Sequence, residues 1–452
     1  MTNDANNPAS AGQPPVGLPA AAAIAAEQLS DTAAVPTVKL RKGYLSVLIL
    51  SYCALYVAWI APTAFSLAIR IEQIAPDIKD TAIAIAVGVP SLIVLVTGPL
   101  VGVLSDKTRL RFGRRRTWML AGMLMGLLGS VLVGLSENIG LLIAAWTLAF
   151  IGYTAAGGMF VTHLGDKLPE QQRGKVAGFT GAVTQIAPVV GVAIAGAFSA
   201  MPLAMFAAPS AIAFILGLAF IVVMKDDPAP ADSSKINFRQ LAQGFYFNPR
   251  RHPDFAWVWI SRFFIFLALS IMSLYTVYLL GDRLALEPGA LAGLVATGGL
   301  LGIGVAITGS ILSGAISDRI RRRKPFIVIA GLLLAGGLVV TATLTSITQF
   351  YIGSLVAVFG VGIFGAIDQA IGLDTLPSDQ GQNGRFLGIF NLANQLAQGV
   401  GPFLAAAILS LLGGDYTGVY IVAAAFAVVG GLLILGVRPG RPTTVGIPVP
   451  KI

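Results

Sequence analysis

Long runs of apolar residues separated by short polar stretches are the dominant pattern along the chain. Each run has about 20 residues, the length that an α-helix needs to cross the hydrocarbon core of a bilayer. Six runs precede a polar stretch at residues 225–253, and six follow it. The predicted spans are residues 44–68, 82–104, 117–135, 139–161, 176–198, 203–224, 255–280, 291–316, 326–344, 351–371, 387–412 and 419–437.

The pattern predicts an all-α membrane protein with twelve transmembrane helices in two six-helix bundles. The expected divisions are a disordered tail (1–38), a first bundle (39–224), a central loop (225–253), a second bundle (254–438) and a second tail (439–452). The first tail is rich in Ala and Pro and lacks the basic start and apolar core of a signal peptide.

Composition agrees with a membrane protein. Hydrophobic residues make up 56% of the 452 residues and charged residues only 11%, whereas a soluble domain has about 25% charged residues. So few charges cannot cover a water-facing surface, which argues against a soluble enzyme, a nucleic-acid-binding module or a disordered scaffold. Cys53 is the single cysteine, so no intramolecular disulfide can form.

The net charge of +9 is distributed unevenly between the predicted loops. With the first tail on one side, that side carries most Lys and Arg residues, and the other side carries only Arg70, Lys79 and Arg283. Because basic loops stay in the cytoplasm, we expect both termini and the central loop to be cytoplasmic. The expected location is a cell membrane, of the bacterial inner-membrane kind.

The two halves share short sequences in the same order, which indicates a duplication. Parallel repeats of six helices enclose a cavity between them near the bilayer midplane. The matching elements are Gly102-Val-Leu-Ser-Asp106 with Gly314-Ala-Ile-Ser-Asp318, Asp166-Lys-Leu-Pro169 with Asp374-Thr-Leu-Pro377, and Gln185 with Gln395.

The loops after the second and eighth spans resemble the signature loop of the major facilitator superfamily. The first reads Gly-Val-Leu-Ser-Asp-Lys-Thr-Arg-Leu-Arg-Phe-Gly-Arg-Arg-Arg over residues 102–116. The resemblance extends over residues 40–438. It implies a transporter without cofactor or catalytic site, which moves a small solute by alternating access.

The same resemblance implies a conformational latch at the cytoplasmic ends of the helices. The glycines would let helices approach closely, and the aspartates would pair with neighbouring arginines. The alternative is that these charges only set the topology. The predicted latch residues are Gly102, Asp106, Arg114, Arg115, Asp166, Gly314, Asp318, Arg322 and Asp374.

The form Ser-Asp-x-Thr-x-x-Arg-Phe-Gly-Arg-Arg-Arg at residues 105–116 is similar to a narrower group. This group contains the sucrose/proton symporters and the glycoside–pentoside–hexuronide cation symporters. Residues 368–377 and 388–394 resemble the corresponding part of the sucrose transporters. The melibiose-type cation site has carboxylates in the second and fourth spans, and here those spans carry none before Asp166. The expected coupling ion is therefore a proton.

Asp368 is the one carboxylate well inside a predicted span. A charge at the bilayer centre costs about 2.5–3.5 kcal/mol on insertion scales, so such residues usually have a function. Arg262 in the seventh span is its expected partner. We predict a proton-coupling role for this pair, with a structural ion pair as the alternative.

Uncharged polar residues cluster in the fifth and eleventh spans. In the eleventh they recur every three or four positions and therefore share a helix face. They suit a solute with hydroxyl or amide groups, or they hold helices together. The predicted substrate-binding residues are Thr184, Gln185, Asn391, Asn394, Gln395 and Gln398.

Two directions of transport stay open. The loop signature favours uptake of a sugar or glycoside. Ala-Pro-Val-Val-Gly at residues 187–191 partly resembles the Gly-Pro-x-x-Gly-Gly element of drug/proton antiporters, which favours export of drugs or metabolites. No phosphate-binding loop, nucleophile–base pair or metal-ligand spacing is visible. The expected partners are a small solute, protons and lipid, without nucleic acid, for a monomeric protein.

Overall fold

The computed structural model describes residues 42–224, 226, 247–376 and 383–438. The predicted tails at 1–38 and 439–452 and most of the central loop at 225–253 lie outside the described residues. Within the described residues the chain is helical, with 12 helical segments that are long and apolar enough to cross a membrane. The predicted number of spans and the all-α class are confirmed.

The described part of the first half contains seven α-helices, because the first span is interrupted. It consists of α1 and α2, joined by a π-helical turn at Pro62–Ser66. Pro62 has no N–H to donate to the preceding turn, which weakens the regular helix there. The helices are α1 (Lys42–Ala61), α2 (Leu67–Ile74), α3 (Lys79–Asp106), α4 (Arg114–Leu135), α5 (Ile139–Lys167), α6 (Glu170–Ala197) and α7 (Pro202–Val223).

The second half contains six helices, one for each span. They are α8 (Pro253–Leu284), α9 (Pro288–Ile320), α10 (Lys324–Ala342), α11 (Ile347–Asp374), α12 (Asn383–Leu411) and α13 (Tyr416–Leu433). Several helices are longer than the apolar runs that predicted them. Because hydropathy marks the part of a helix that fits the hydrocarbon core, it does not detect polar turns that continue at either end.

The helix ends form two opposite surfaces. We call the surface where α3 ends and α4 begins the basic end, and the surface where α3 begins and α8 ends the opposite end. Both described chain ends lie at the basic end. Tyr44 in α1 lies 2.5 Å from His163, near the end of α5, through its hydroxyl and the ring Nε2. The N–H of Arg438 donates to Asp254 Oδ1 at the start of α8, at 2.8 Å.

The two halves pack against each other through α3 with α12 and through α6 with α9. At Gly399 a Cβ would lie only 2.6 Å from Leu92 Cδ2, so the absence of a side chain permits this contact. At Gly299 a Cβ would lie 2.9 Å from Val189 Cγ2. These contacts lie near the middle of the helices or toward the opposite end.

Gly102 and Gly314 make no close contact in this conformation. We expected them to allow close helix approach, but a Cβ at either position meets nothing within 4 Å. Both lie near the basic end, where these positions of α3 and α9 face open space. In this conformation the described close contacts between the halves lie away from the basic end.

Candidate functional site

Arg262 in α8 and Asp368 in α11 form a buried ion pair. Nη1 of Arg262 contacts Oδ2 of Asp368, and each side chain is 4% exposed. The predicted pairing of these two residues is confirmed. Among the described residues Asp368 is the only buried carboxylate, so its charge is balanced inside the protein by one specific partner.

The surroundings of the pair come mainly from α12. The guanidinium of Arg262 lies over the ring of Phe390, with 4.0 Å from Cζ to the ring centroid, and 5.0 Å from the ring of Phe266. Nη2 of Arg262 donates to Asn391 Oδ1 at 3.4 Å. Arg262 is nine residues after the start of α8, about 14 Å along its axis. The pair therefore lies between the basic end and the middle of α8.

The other predicted polar residues of α12 differ in exposure. Asn394 lies one turn after Asn391 on the same face, and its Oδ1 is buried without a hydrogen-bond partner among the described residues. Gln395 is partly exposed and Gln398 is exposed. Of these four side chains, the structure brings Asn391 into direct contact with the ion pair.

Gln185 in α6 and Gln395 in α12 occupy matching places in the two halves. Each lies four residues before the residue of its helix that packs on the other half, Val189 and Gly399 respectively. Residues four apart share a helix face, so both glutamines lie on faces turned toward the other half, one turn nearer the basic end. Thr184 donates to the Gly181 carbonyl of its own helix, at 2.7 Å.

The basic end of the first half contains a network around Arg115, which is 1% exposed. Nη1 of Arg115 lies 2.7 Å from Asp106 Oδ1 and donates to Ser105 Oγ at 2.9 Å. Its Nε lies 3.3 Å from Asp166 Oδ2, and Nη2 of Arg114 lies 3.1 Å from the same atom. The predicted charged latch residues of this half are thus in contact.

The second half has a simpler version of this network. Nη1 of Arg323 lies 2.7 Å from Asp374 Oδ2. Arg322 and Asp318, which we predicted as latch residues of this half, are exposed, and Arg323 is the residue that reaches Asp374. Because neighbouring residues of a chain point in different directions, a run of basic residues does not reveal by spacing alone which one reaches the aspartate.

Asp226 is a residue of the basic end that the sequence did not suggest. Its Oδ2 accepts the backbone N–H groups of Arg115 and Arg116, at 2.6 and 2.9 Å, in the first turn of α4. A carboxylate suits a helix N-terminus, because it satisfies free N–H groups and the helix dipole. Gly113 precedes this turn with a φ of 109°, and a side chain there would collide with Asp226.

Polar contacts join the halves at the opposite end. Lys79 Nζ lies 2.7 Å from Glu72 Oε1 in its own half and 3.3 Å from Asp282 Oδ1 in the other. The Tyr416 hydroxyl donates to Asp80 Oδ1 at 2.5 Å. The only sequence signal for this group was that Lys79 is one of the few basic residues predicted on that side.

Two further tyrosines of α8 complete this group. The Tyr275 hydroxyl donates to the Asp80 carbonyl at 3.2 Å, and the Tyr278 hydroxyl donates to the Ala68 carbonyl at 3.1 Å. These hydrogen bonds hold the two halves together where α3 begins. We call the group the opposite-end clamp; it consists of Lys79, Asp80, Tyr275, Tyr278, Asp282 and Tyr416.

Asp415 lies beside the clamp, in the loop before α13. Its Oδ1 accepts the Thr417 N–H at 2.9 Å and lies 4.0 Å from Arg283. The hydrogen bonds from Thr417 hold the pKa of Asp415 below its usual value. This carboxylate is therefore ionised at neutral pH and caps the helix.

Comparison with known proteins agrees with this architecture. The family model of the Major Facilitator Superfamily matches residues 44–383 and 310–451. A stretch of 99 residues, 21% of this chain, is 35% identical to the uncharacterized MFS-type transporter YfiU of Bacillus subtilis (strain 168), and spans only 18% of that protein.

Two solved structures show a similar fold at low sequence identity. A bacterial homolog of the human lysosomal transporter Spinster, inward-facing and unoccupied, has a TM-score of 0.66 and 15% identity, over 89% of this chain and 100% of that one. A point mutant of the nucleoside transporter NupG has a TM-score of 0.69 and 12% identity, over 88% and 100%. With twelve candidate spans among the residues that the structure describes and a family match over most of its length, this chain belongs to the Major Facilitator Superfamily, whose members transport solutes across membranes.

Proposed function

We propose that this protein takes up a small uncharged organic solute, a sugar or a glycoside, together with a proton. The solute site lies between the halves and is lined by the amide face of α12 and by its counterpart on α6. The residues are Thr184, Gln185, Asn391, Asn394, Gln395 and Gln398. The protein works as a monomer in a cell membrane, with the basic end in the cytoplasm.

The observation that carries the proton coupling is the buried ion pair of Arg262 and Asp368. Breaking a buried pair on one side leaves an uncompensated charge, at a cost of about 3–5 kcal/mol. Protonation of Asp368 removes its charge and releases Arg262 from it. Because Arg262 also contacts Asn391, the protonation state of Asp368 is linked to the amide face of α12.

In an alternating-access cycle, the clamp closes the opposite end in one state and the latch closes the basic end in the other. The structure has the clamp formed, and Gly102 and Gly314 face open space. When the solute and the proton favour the other state, the clamp opens and the helices at the basic end close around these glycines. Solute and proton can shift this equilibrium only through their different affinities for the two states.

The packing of residues 187–191 favours uptake over the exporter alternative. At Gly191 a Cβ would lie 2.6 Å from Ala61 Cβ, and Ala187 is fully buried. This element joins α6 to α1 within one half, which accounts for its Gly by packing. Export of a drug or metabolite is the competing hypothesis, which increased drug tolerance of a transport-deficient host would support.

Counterflow and proton-driven accumulation in proteoliposomes test the proposal, with radiolabelled sucrose as the first probe. We expect wild-type protein to accumulate the sugar in response to an inward proton gradient. Asp368→Asn should keep counterflow exchange and lose accumulation, because the amide cannot take up a proton. Asp77→Asn, at an exposed carboxylate of the opposite end, is the matched control. Accumulation that survives Asp368→Asn would refute the coupling role.

A further inference from the structure

Two buried polar atoms near the ion pair have no hydrogen-bond partner among the described residues. They are Nε of Arg262 and Oδ1 of Asn394. An unsatisfied buried polar atom is energetically unfavourable, so buried polar atoms are nearly always paired with protein or water. Two such atoms on facing helices indicate a place for a ligand group.

The positions of these residues put the two atoms on neighbouring turns of the interface between α8 and α12. Asn394 lies one turn beyond Phe390 and Asn391 on α12, since it follows them by four and three residues. Arg262 lies over the Phe390 ring and donates to Asn391. Asn394 is therefore the next residue of this face beyond the guanidinium. Two turns further, Gly401 approaches Ser270, so the same face continues along α8.

The chemistry of the two atoms selects the group that fits between them. Nε of Arg262 can only donate, and the amide oxygen of Asn394 can only accept. A hydroxyl does both at once, as an acceptor from Arg262 and a donor to Asn394. An ammonium group cannot accept from Arg262, and a carboxylate cannot donate to Asn394.

An aromatic pair lies beside the same stretch of α12. The rings of Trp259 and Phe263 are parallel within 2°, with centroids 5.9 Å apart. Nε1 of Trp259 donates to the Ile389 carbonyl at 2.8 Å, which fixes the indole against the same turn of α12. Both rings are partly exposed. A solute ring with apolar C–H faces and hydroxyl groups on its edge matches such a combination.

We infer that Arg262 and Asn394 bind one hydroxyl group of a neutral ring solute, beside the Trp259–Phe263 pair. This inference rests on the proposed function and deepens it, since it selects a polyhydroxylated ring over a cationic or purely aromatic solute. It also gives Arg262 two contacts that change in one cycle, with Asp368 through Nη1 and with the solute through Nε.

Deoxy sugars test the inference, because each lacks a single hydroxyl. The assay is inhibition of radiolabelled sucrose counterflow by methyl α-glucopyranoside and its 2-, 3-, 4- and 6-deoxy derivatives. In wild-type protein we expect one derivative to bind at least about tenfold more weakly than the parent, because it leaves two buried groups unpaired. In Asn394→Leu the parent should weaken by about tenfold, and the difference between parent and derivative should become clearly smaller, because only Arg262 is left to bind the hydroxyl.

Control variants separate loss of the site from loss of the fold. Asn394→Ser keeps a small acceptor and should recover part of the discrimination. Thr308→Val removes a polar group of α9 that donates only to the carbonyl of Gly304 in its own helix among the described contacts. It should leave every inhibition constant unchanged.

The outcomes distinguish the inference from the function on which it rests. If Asn394→Leu binds the parent normally and still discriminates against the same derivative, the inference is wrong and sugar transport stands. If Asn394→Leu changes only thermal stability, the atoms hold a structural water and the inference is also wrong. If wild-type protein exchanges no sucrose and neither sucrose nor any methyl glucoside raises its melting temperature, the proposed substrate class fails, and the inference with it.

Discussion

The hydroxyl of Tyr416, in the second half of the chain, donates to the carboxylate of Asp80, in the first half, at 2.5 Å. These residues begin α13 and α3, and their contact closes the opposite end of the molecule. A hydrogen bond to a charged group contributes about 1.5–3 kcal/mol. This bond is absent once the two halves separate, so it stabilises the structure relative to a state that opens at this end.

Tyr416→Phe should therefore shift the equilibrium toward the state that opens at the opposite end. The loss of about 1.5 kcal/mol corresponds to a change of roughly tenfold in the population ratio. Spin labels at Glu137→Cys and Thr345→Cys, in a Cys53→Ser background, report the distance between the halves at this end. We expect the population with the longer distance to grow.

Tyr351→Phe is the matched control for the clamp. Tyr351 lies near the same end in α11, and its ring contacts Phe350 in its own half. Its hydroxyl is not part of the clamp, so the distance distribution should match that of the unsubstituted protein. An unchanged distribution in Tyr416→Phe would show that Asp80 and Tyr416 do not hold the closed state.

Much of the architecture could be predicted from the sequence, because lipid imposes a simple rule. A backbone in hydrocarbon must satisfy its own hydrogen bonds, so each long apolar run becomes a helix. The pairing of Arg262 with Asp368 followed from the same physics, since a charge inside a span needs a partner. Both inferences depend on the cost of placing an unpaired polar group or charge in hydrocarbon. That cost can be estimated from the residue type and its position along an apolar run.

Conformation was less predictable, as Gly102 and Gly314 show. Their motif predicts close packing, and in this structure a side chain at either position would meet open space. A transporter alternates between two conformations. A sequence motif is compatible with both and does not indicate which one is populated. The clamp was not predicted, because Asp80 and Tyr416 are far apart in the chain and belong to no motif.

The ion pairs at the basic end lead to a second prediction, on the difference between two adjacent arginines. The ion pair Arg323–Asp374 corresponds to the ion pair Arg115–Asp166. Arg323 follows Arg115 in the chain by the same number of residues as Asp374 follows Asp166. Arg323→Gln should slow sucrose counterflow, and Arg322→Gln should not, because only Arg323 contacts the aspartate among the described ion pairs. If the two variants transport equally, this pair does not belong to the latch.

The stability of Arg323→Gln should change little. The side chains of Arg323 and Asp374 are 27% and 56% exposed, and exposed ion pairs contribute about 0–1 kcal/mol. A melting temperature close to that of the wild type, together with slower transport, would separate a conformational role from a folding role. The comparison in detergent should also be made at high salt, which screens the exposed pair.

Asp226 leads to a third prediction, on the start of α4. Its carboxylate accepts two N–H groups of the first turn, and that turn positions Arg115 for Asp106 and Asp166. Asp226→Ala should lower the stability by about 1 kcal/mol, as loss of a helix cap does. The expected fall in melting temperature is about 1 °C for a chain of 452 residues.

Three variants at two positions distinguish the cap from a general effect of charge. Asp226→Asn keeps an oxygen that can accept the same N–H groups, so it should retain most of the stability that Asp226→Ala loses. Asp77→Ala removes an exposed carboxylate and should leave the melting temperature unchanged. Equal destabilisation by Asp226→Asn and Asp226→Ala would mean that the charge matters rather than the hydrogen bonds. The site would then act on Arg115 and Arg116 through electrostatics, and its effect would weaken as salt is added.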